Sequence, residues 1–428
     1  MSAFTRNHVG LVTRRNTAYG QHRELRYDVL GRPTSDEVWD DVNTVCAPTC
    51  TNVPVRRGFW QPSYTDSDDI KRIGSHRGTF TFGYDVRHQL KTATGPFAYS
   101  AQVQYSPAGR LREANVSWSP GGAAPPALSR NVLYDYAGTP DPGAVGALKN
   151  KLVAGNFASY AYDLSGNVTT RVVGANQTDF LYDGADQVRR VRVAGYDEYY
   201  YYDHGGQRML VIRPNDNVRF FVGGSEVETS LGTGVDTTKV HLGGGALVTR
   251  VGAGTKTLEL LYHATRQDLL LSLDGGGNVA AEFVYGPYGE LLYKSGPRAD
   301  LHTRLFNDKE HDEHSGLVYY GYRYYDPVSL SWTQADPLYL ATPDFSIGAP
   351  RRANLYTFSL NNPVRYFDPD GRDTKDKEAQ AEAEAQAEER TAQEPGGVHH
   401  EHLHSQASQK GTRQREEGHH NPARDQDH

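Results

Sequence analysis

"YDLSGNVTTRVVGANQTDFLYDGADQVRRVRVAGYDEYYYYDHGGQRML", residues 162–210, contains one short phrase three times. Tyr162, Tyr182 and Tyr202 are each followed by Asp, then by a turn-like stretch with Gly, then by Asn or Gln, at a spacing of 20 residues. Each unit has a mechanical reading. The Tyr ends a strand, the Asp side chain caps a turn, the Gly takes a positive φ, and the next apolar residue starts the return strand. "VRRVRVAG" and "EYYYYD" have the β-branched and aromatic content of such strands. One unit of about 20 residues cannot bury its own face, so neighbouring hairpins must pair into a long curling sheet.

Working outward, related phrases begin at Tyr27 ("YDVLGRPTS"), Tyr84 ("YDVRHQLKT"), Tyr105 ("YSPAGRLRE"), Tyr134 ("YDYAGTP") and Tyr285 ("YGPYGELLY"). Some have drifted: residues 84–90 lack the turn Gly, and Ser106 stands where Asp is expected. A recurring period of this kind is a repeat signal. Composition agrees, because 44 Gly, 28 Tyr and 14 Phe in 428 residues suit strands and tight turns better than helices. The expected fold class is all-β, with YD-repeat hairpins in a curled, shell-like sheet.

A formal net charge of −7 gives no global basic field, so the repeat region is not expected to bind nucleic acid. No apolar run follows the basic start, and none approaches the roughly 20 residues that span a bilayer, so neither a conventional signal nor a membrane span is expected. Cys46 and Cys50 are the only cysteines. A zinc site would need two further ligands, so they read as two reduced thiols in a loop. The Gly-rich stretches 242–250 and 273–279 read as hairpin turns, lacking the context of a phosphate loop. No cofactor and no evolved metal site is expected. Tyr199–Tyr202 read as lining a sheet interior, with carbohydrate stacking as the alternative.

The repeats resemble the Rhs or YD-repeat family, whose bacterial members include polymorphic toxins and the C components of Tc toxins. The resemblance is sharper in "YHATRQDLLLSLDGGGNVAAEFVYGPYGELL" (262–292), "RLFNDKEHDEHSGLVYYGYRYYDPVSLSWTQADPL" (304–338) and "NLYTFSLNNPVRYFDPDGR" (354–372). These three, in this order, are similar to the Rhs-associated core domain. The resemblance covers roughly residues 20–372 and implies an extension at 1–19, repeats at 20–257, a core domain closing the shell at 258–372, and a variable tail at 373–428.

In that family the core ends at Asp-Pro-x-Gly-Leu, after which a C-terminal segment, frequently a toxin, is released by intramolecular proteolysis. By resemblance the catalytic aspartates fall on Asp336 in "QADPL" and Asp368 in "FDPDGR", the catalytic arginine on Arg323 in "GYRYYDP", and the cut between Arg372 and Asp373. Hydrolysis by carboxylates needs one acid to activate water and another to protonate the carbonyl or leaving amine, and an arginine would keep the pair in its single-proton state. Asp326, in a third Asp-Pro, reads as a turn residue. One departure stands out: Arg372 replaces Leu, so a pocket shaped for an apolar residue would have to bury a guanidinium.

Residues 373–428 contain no Phe, Tyr or Trp, and apart from Ala only Val398 and Leu403 are apolar. The tail is expected to be disordered or weakly helical. His399, His400, His402, His404, His419 and His420 read as adventitious metal binders. The first functional reading is a shell that presents or encloses a C-terminal segment and at most cuts itself once, in toxin delivery or interbacterial competition. It implies a toxin cargo, an immunity protein or a delivery apparatus as partners, and export from the cytoplasm to the outside or the cell surface by a specialised route. The alternative is a non-enzymatic carbohydrate- or protein-binding repeat protein. A nuclease with a His-based C-terminal site is the third.

Overall fold

The computed structural model describes residues 3–376, except 9, 17–19, 42–43, 47–49, 53, 108, 126–129, 137–147, 153–157, 214–216, 223–224, 231–233, 235, 243–244, 265–266, 338–351, 353 and 373. The tail beyond 376 and Asp373 therefore lie outside the described residues. Two long antiparallel sheets dominate. Twelve strands, from Ala3–Arg6 to Leu148–Leu152, form the first, and fifteen, most of them between Ala158–Tyr162 and Leu291–Ser295, form the second. Strands pair almost entirely with their neighbours in sequence, which is what a hairpin repeat requires. Among the described residues, neither sheet closes on itself. Gly121–Gly122 leaves the first sheet to run parallel to Leu291–Ser295 at the far edge of the second.

The repeat phrase has a physical explanation in the turns. Asp28 Oδ1 accepts the N–H groups of Leu30 and Arg32 at 2.9 and 3.0 Å. Asp183 does the same for Ala185 and Gln187, and Asp203 for Gly205 and Gln207. The residue three after the Asp has positive φ, as at Gly166 (87°) and Gly206 (79°). In the units without Gly there, His88 and Asp186 adopt the same conformation, each at 59°. The Tyr works between units: its hydroxyl donates to the carbonyl of the residue that opens the previous return strand. Tyr84 reaches Ile70, Tyr105 reaches Leu90, Tyr182 reaches Val168 and Tyr202 reaches Val188, all at 2.7–2.9 Å. The apolar residue opening a return strand is buried at Leu90, Val168 and Val188, while the strand after Tyr202 opens on a buried Arg208.

The structure departs from the sequence reading at four places. The phrase at Tyr134 is not a repeat unit of this kind, because its strand runs on through Tyr136 and the Tyr134 hydroxyl instead donates to Ser329 C=O at 2.9 Å. Conversely, Tyr64 heads a genuine unit in which Thr65 replaces Asp and caps Asp69 N–H through Oγ1. Tyr199–Tyr202 alternate, Tyr200 being fully buried and Tyr199 exposed, as a strand demands. Cys46 and Cys50 face each other as Cα partners in a short hairpin, so their backbone is strand and not loop.

The described residues within 299–372 form a plug of short strands and 3-10 turns packed on both sheets. A four-stranded sheet, Glu310–Asp312, Leu317–Tyr319, Tyr324–Asp326 and Ser331–Trp332, is its scaffold. Its centre is aromatic: Phe306, Tyr320, Tyr325, Trp332 and Phe358 are all buried, with Tyr325 stacked on Phe358 at 3.9 Å. Plug side chains bond the turn tips of the repeats. Asn361 donates to Gly109 C=O, Asn362 to His88 C=O and Gln334 to Asp186 C=O, at 2.6–2.9 Å. Ion pairs continue the seam, Arg208 with Asp312 at 2.7 Å and Arg219 with Glu310.

Candidate active site

The plug brings Arg323, Asp336 and Asp368 together. Arg323 immediately precedes the strand Tyr324–Asp326, Asp336 follows Ser331–Trp332, and Asp368 follows Tyr366–Phe367. Three short elements of one packed unit thus aim three charged side chains at one point. Arg323 Nη1 lies 3.1 Å from Asp336 Oδ2 and Nη2 lies 3.0 Å from Asp368 Oδ2. Its Nε donates to Gly371 C=O at 2.5 Å and Nη1 to Leu355 C=O at 3.3 Å. Beneath the guanidinium, 4.2 Å away, is the Trp332 ring. Arg323 is buried, and five contacts on a planar cation offset the cost of removing it from water.

The two carboxylates differ in environment. Asp368 is fully buried, whereas Asp336 keeps 21% of its side-chain surface exposed. Burial raises the Asp368 pKa above its ordinary value; Arg323 and the N–H groups of Gly371 and Asp370 oppose that rise, and Asp370 adds to it. Asp368 Oδ1 accepts the N–H groups of Gly371 at 2.7 Å and Arg372 at 3.0 Å, so the carboxylate is folded back over the loop that it begins. Only glycine fits at 371. Its φ is +84°, and a Cβ would stand 2.9 Å from Arg323 N. The loop is closed on its far side as well, since Lys375–Asp376 pairs antiparallel with Tyr366–Phe367. The described residues 368–372 and 374 therefore lie between the two strands of a hairpin, and Asp373 lies outside the described residues.

Asp326 is more than a turn residue. It is buried, with Oδ1 3.0 Å from Arg171 Nη1 and Oδ2 accepting from the Tyr160 hydroxyl at 2.6 Å. Its role is to fasten the plug to the second sheet. Arg372 also departs from expectation: its guanidinium is not buried but 46% exposed, paired with Asp370 at 2.6 Å and lying 4.1 Å over the Tyr322 ring. Lys309, which the sequence did not flag, donates from Nζ to Pro369 C=O at 2.5 Å. Burial lowers the Lys309 pKa.

Residues 269–364 match the Teneurin YD-shell family model. Over 104 residues the chain is 38% identical to a toxin subunit, YenC2, of Yersinia entomophaga, which covers 24% of this chain and 10% of that protein. It is 26% identical over 370 residues to double-stranded DNA deaminase toxin A of Burkholderia cenocepacia (strain H111), covering 74% of this chain and 24% of the relative. Among solved structures, the TcdB2-TccC3-Cdc42 complex aligns with a TM-score of 0.50 at 19% identity, over 90% of this chain and 22% of the matched one. That likeness is one of fold. Repeat, plug and relatives together make the chain similar to Rhs/YD-repeat proteins of the Tc toxin type, with a shell-like β fold. It spans about a tenth of the length of the toxin subunit and a quarter of that of the deaminase toxin.

Proposed function

We propose that this chain is the shell portion of a toxin of that type, and that it cuts its own backbone once, between Arg372 and Asp373, to free the segment that follows. The observation that carries this reading is the placement of Arg323 between Asp336 and Asp368, with Asp368 hydrogen-bonded to the N–H of the residue that precedes the cut. Asp336, the more exposed carboxylate, takes a proton from a water molecule whose oxygen attacks the Arg372 carbonyl carbon. Asp368, whose burial favours the protonated form, gives its proton to the carbonyl oxygen. As the tetrahedral centre collapses the C–N bond breaks, the proton held by Asp336 passes to the nitrogen that becomes the amine of Asp373, one hydroxyl proton of the centre returns to Asp368, and a carboxyl group is left on Arg372. With Asp368 protonated, one cation and one anion remain, which suits a buried site.

Catalyst and substrate share one chain, so the effective concentration of the scissile bond is high and a single turnover suffices. The hairpin pairing of Lys375–Asp376 supports the further reading that the freed segment stays attached after the cut. The partners proposed are the freed cargo, an immunity protein and a delivery apparatus, with action outside the producing cell. Carbohydrate binding by the repeats has less support, since the repeat tyrosines commit their hydroxyls to main-chain carbonyls.

Intact mass by denaturing mass spectrometry tests the reading. Wild type should give two masses separated at 372/373, and Asp336→Asn and Asp368→Asn should each give one. A single uncut mass for wild type would refute self-cleavage.

A further inference from the structure

Resting on the self-cleavage reading, we propose that Tyr322 and Asp370 form a recognition site for the Arg372 side chain, so that a planar cation is what this chain selects on the N-terminal side of its cut. Arg372 Nε and Nη2 both donate to Asp370 Oδ2, at 2.9 and 2.6 Å, and the guanidinium carbon lies 4.1 Å from the centre of the Tyr322 ring. The backbone of the same residue is fixed independently, its N–H shared between Asp368 Oδ1 at 3.0 Å and Asp370 Oδ1 at 3.1 Å.

An exposed ion pair alone contributes little. Here the pair belongs to a seam built for close approach. Tyr322 N–H donates to Asp370 C=O at 2.9 Å. Gly321 (φ +106°) and Gly371 (φ +84°) leave room for that contact, since a Cβ on Gly321 would stand 3.0 Å from Asp370 O and one on Gly371 3.4 Å from Tyr322 N. The seam places two adjacent side chains for two tasks. Arg323 turns inward to the carboxylates, and Tyr322 lies under Arg372. A leucine at 372 would keep apolar contact with the ring and leave Asp370 without the cation it now binds. A lysine would keep the charge and lose the flat face and the two-nitrogen contact.

The test is timed cell-free synthesis of the full chain, quenched and read by denaturing mass spectrometry, for wild type and for Tyr322→Phe, Tyr322→Ala, Asp370→Asn, Arg372→Lys and Arg372→Leu. Tyr322→Phe keeps the ring and should cleave at the wild-type rate. Tyr322→Ala, Asp370→Asn and Arg372→Leu should cleave about tenfold more slowly, with Arg372→Lys between them and wild type. Thermal unfolding of Asp370→Asn at the wild-type temperature separates lost recognition from lost folding. Wild-type rates in Tyr322→Ala and Arg372→Leu would overturn the recognition site and leave self-cleavage standing. An uncut wild type would overturn both.

Discussion

The repeats and the plug are built from the same residue types with opposite reach. In the repeats, an Asp caps N–H groups two and four positions on, and a Tyr bonds a carbonyl 14 or 15 positions back. In the plug, Asp326 meets Arg171 and Tyr160 across 155 and 166 positions, and Arg323 meets Asp368 across 45. Local bonding makes each unit nearly independent of which neighbours it has. Long-range bonding makes the plug dependent on one arrangement of the whole chain, and that dependence is what places three charges at one point.

Substitution separates the two modes. The largest effect is expected at the plug seam: Asp326→Ala leaves the Arg171 guanidinium buried without its carboxylate and should cost about 3–5 kcal/mol in urea unfolding. Acid should act next. Burial would raise the pKa values of Glu259 and Glu282, yet hydrogen bonds from His302 and Arg298 hold the first at about 2, and those from Arg77 and His76 hold the second at about 2. Because both lie below the ordinary 4.5, their contribution is fully present above that pH and is lost as pH falls toward 2. A fall in melting temperature of Glu282→Gln with the same pH dependence as wild type would contradict this for the contact between the sheets.

Smaller effects are expected in the repeats. Tyr182→Phe removes one hydroxyl bond to Val168 and should cost about 1 kcal/mol. Asp183→Ala, at an exposed turn, should cost about 1 kcal/mol or less, read by the same urea titration. If Asp183→Ala proved as damaging as Asp326→Ala, the distinction between local and long-range bonding would fail.

The same distinction explains what could be read in advance. The hairpin units around Tyr162, Tyr182 and Tyr202 were legible because every bond that defines them lies within one period. Tyr64 was not, because Thr65 does the work of Asp with a hydroxyl, and Tyr134 misled, because its phrase matches while its hydroxyl serves Ser329. Arg323, Asp336 and Asp368 came from the order of motifs, and the structure places them in contact. The buried role of Asp326, the grip of Lys309 on Pro369 and the exposure of Arg372 depend on chain segments brought together by folding, for which no local pattern exists.

The turn-tip carbonyls have one more consequence. Gly109 C=O accepts Gln89 of the neighbouring turn at 3.3 Å and Asn361 of the plug at 2.7 Å, so plug and repeat address the same acceptor. Each inserted or deleted unit changes the strand count by two, which returns the chain to the same edge with the same face inward. A sheet of this kind can therefore lengthen or shorten in whole units while the plug meets the same row of carbonyls, and the number of repeats can vary without any change to the residues that hold Arg323, Asp336 and Asp368 together.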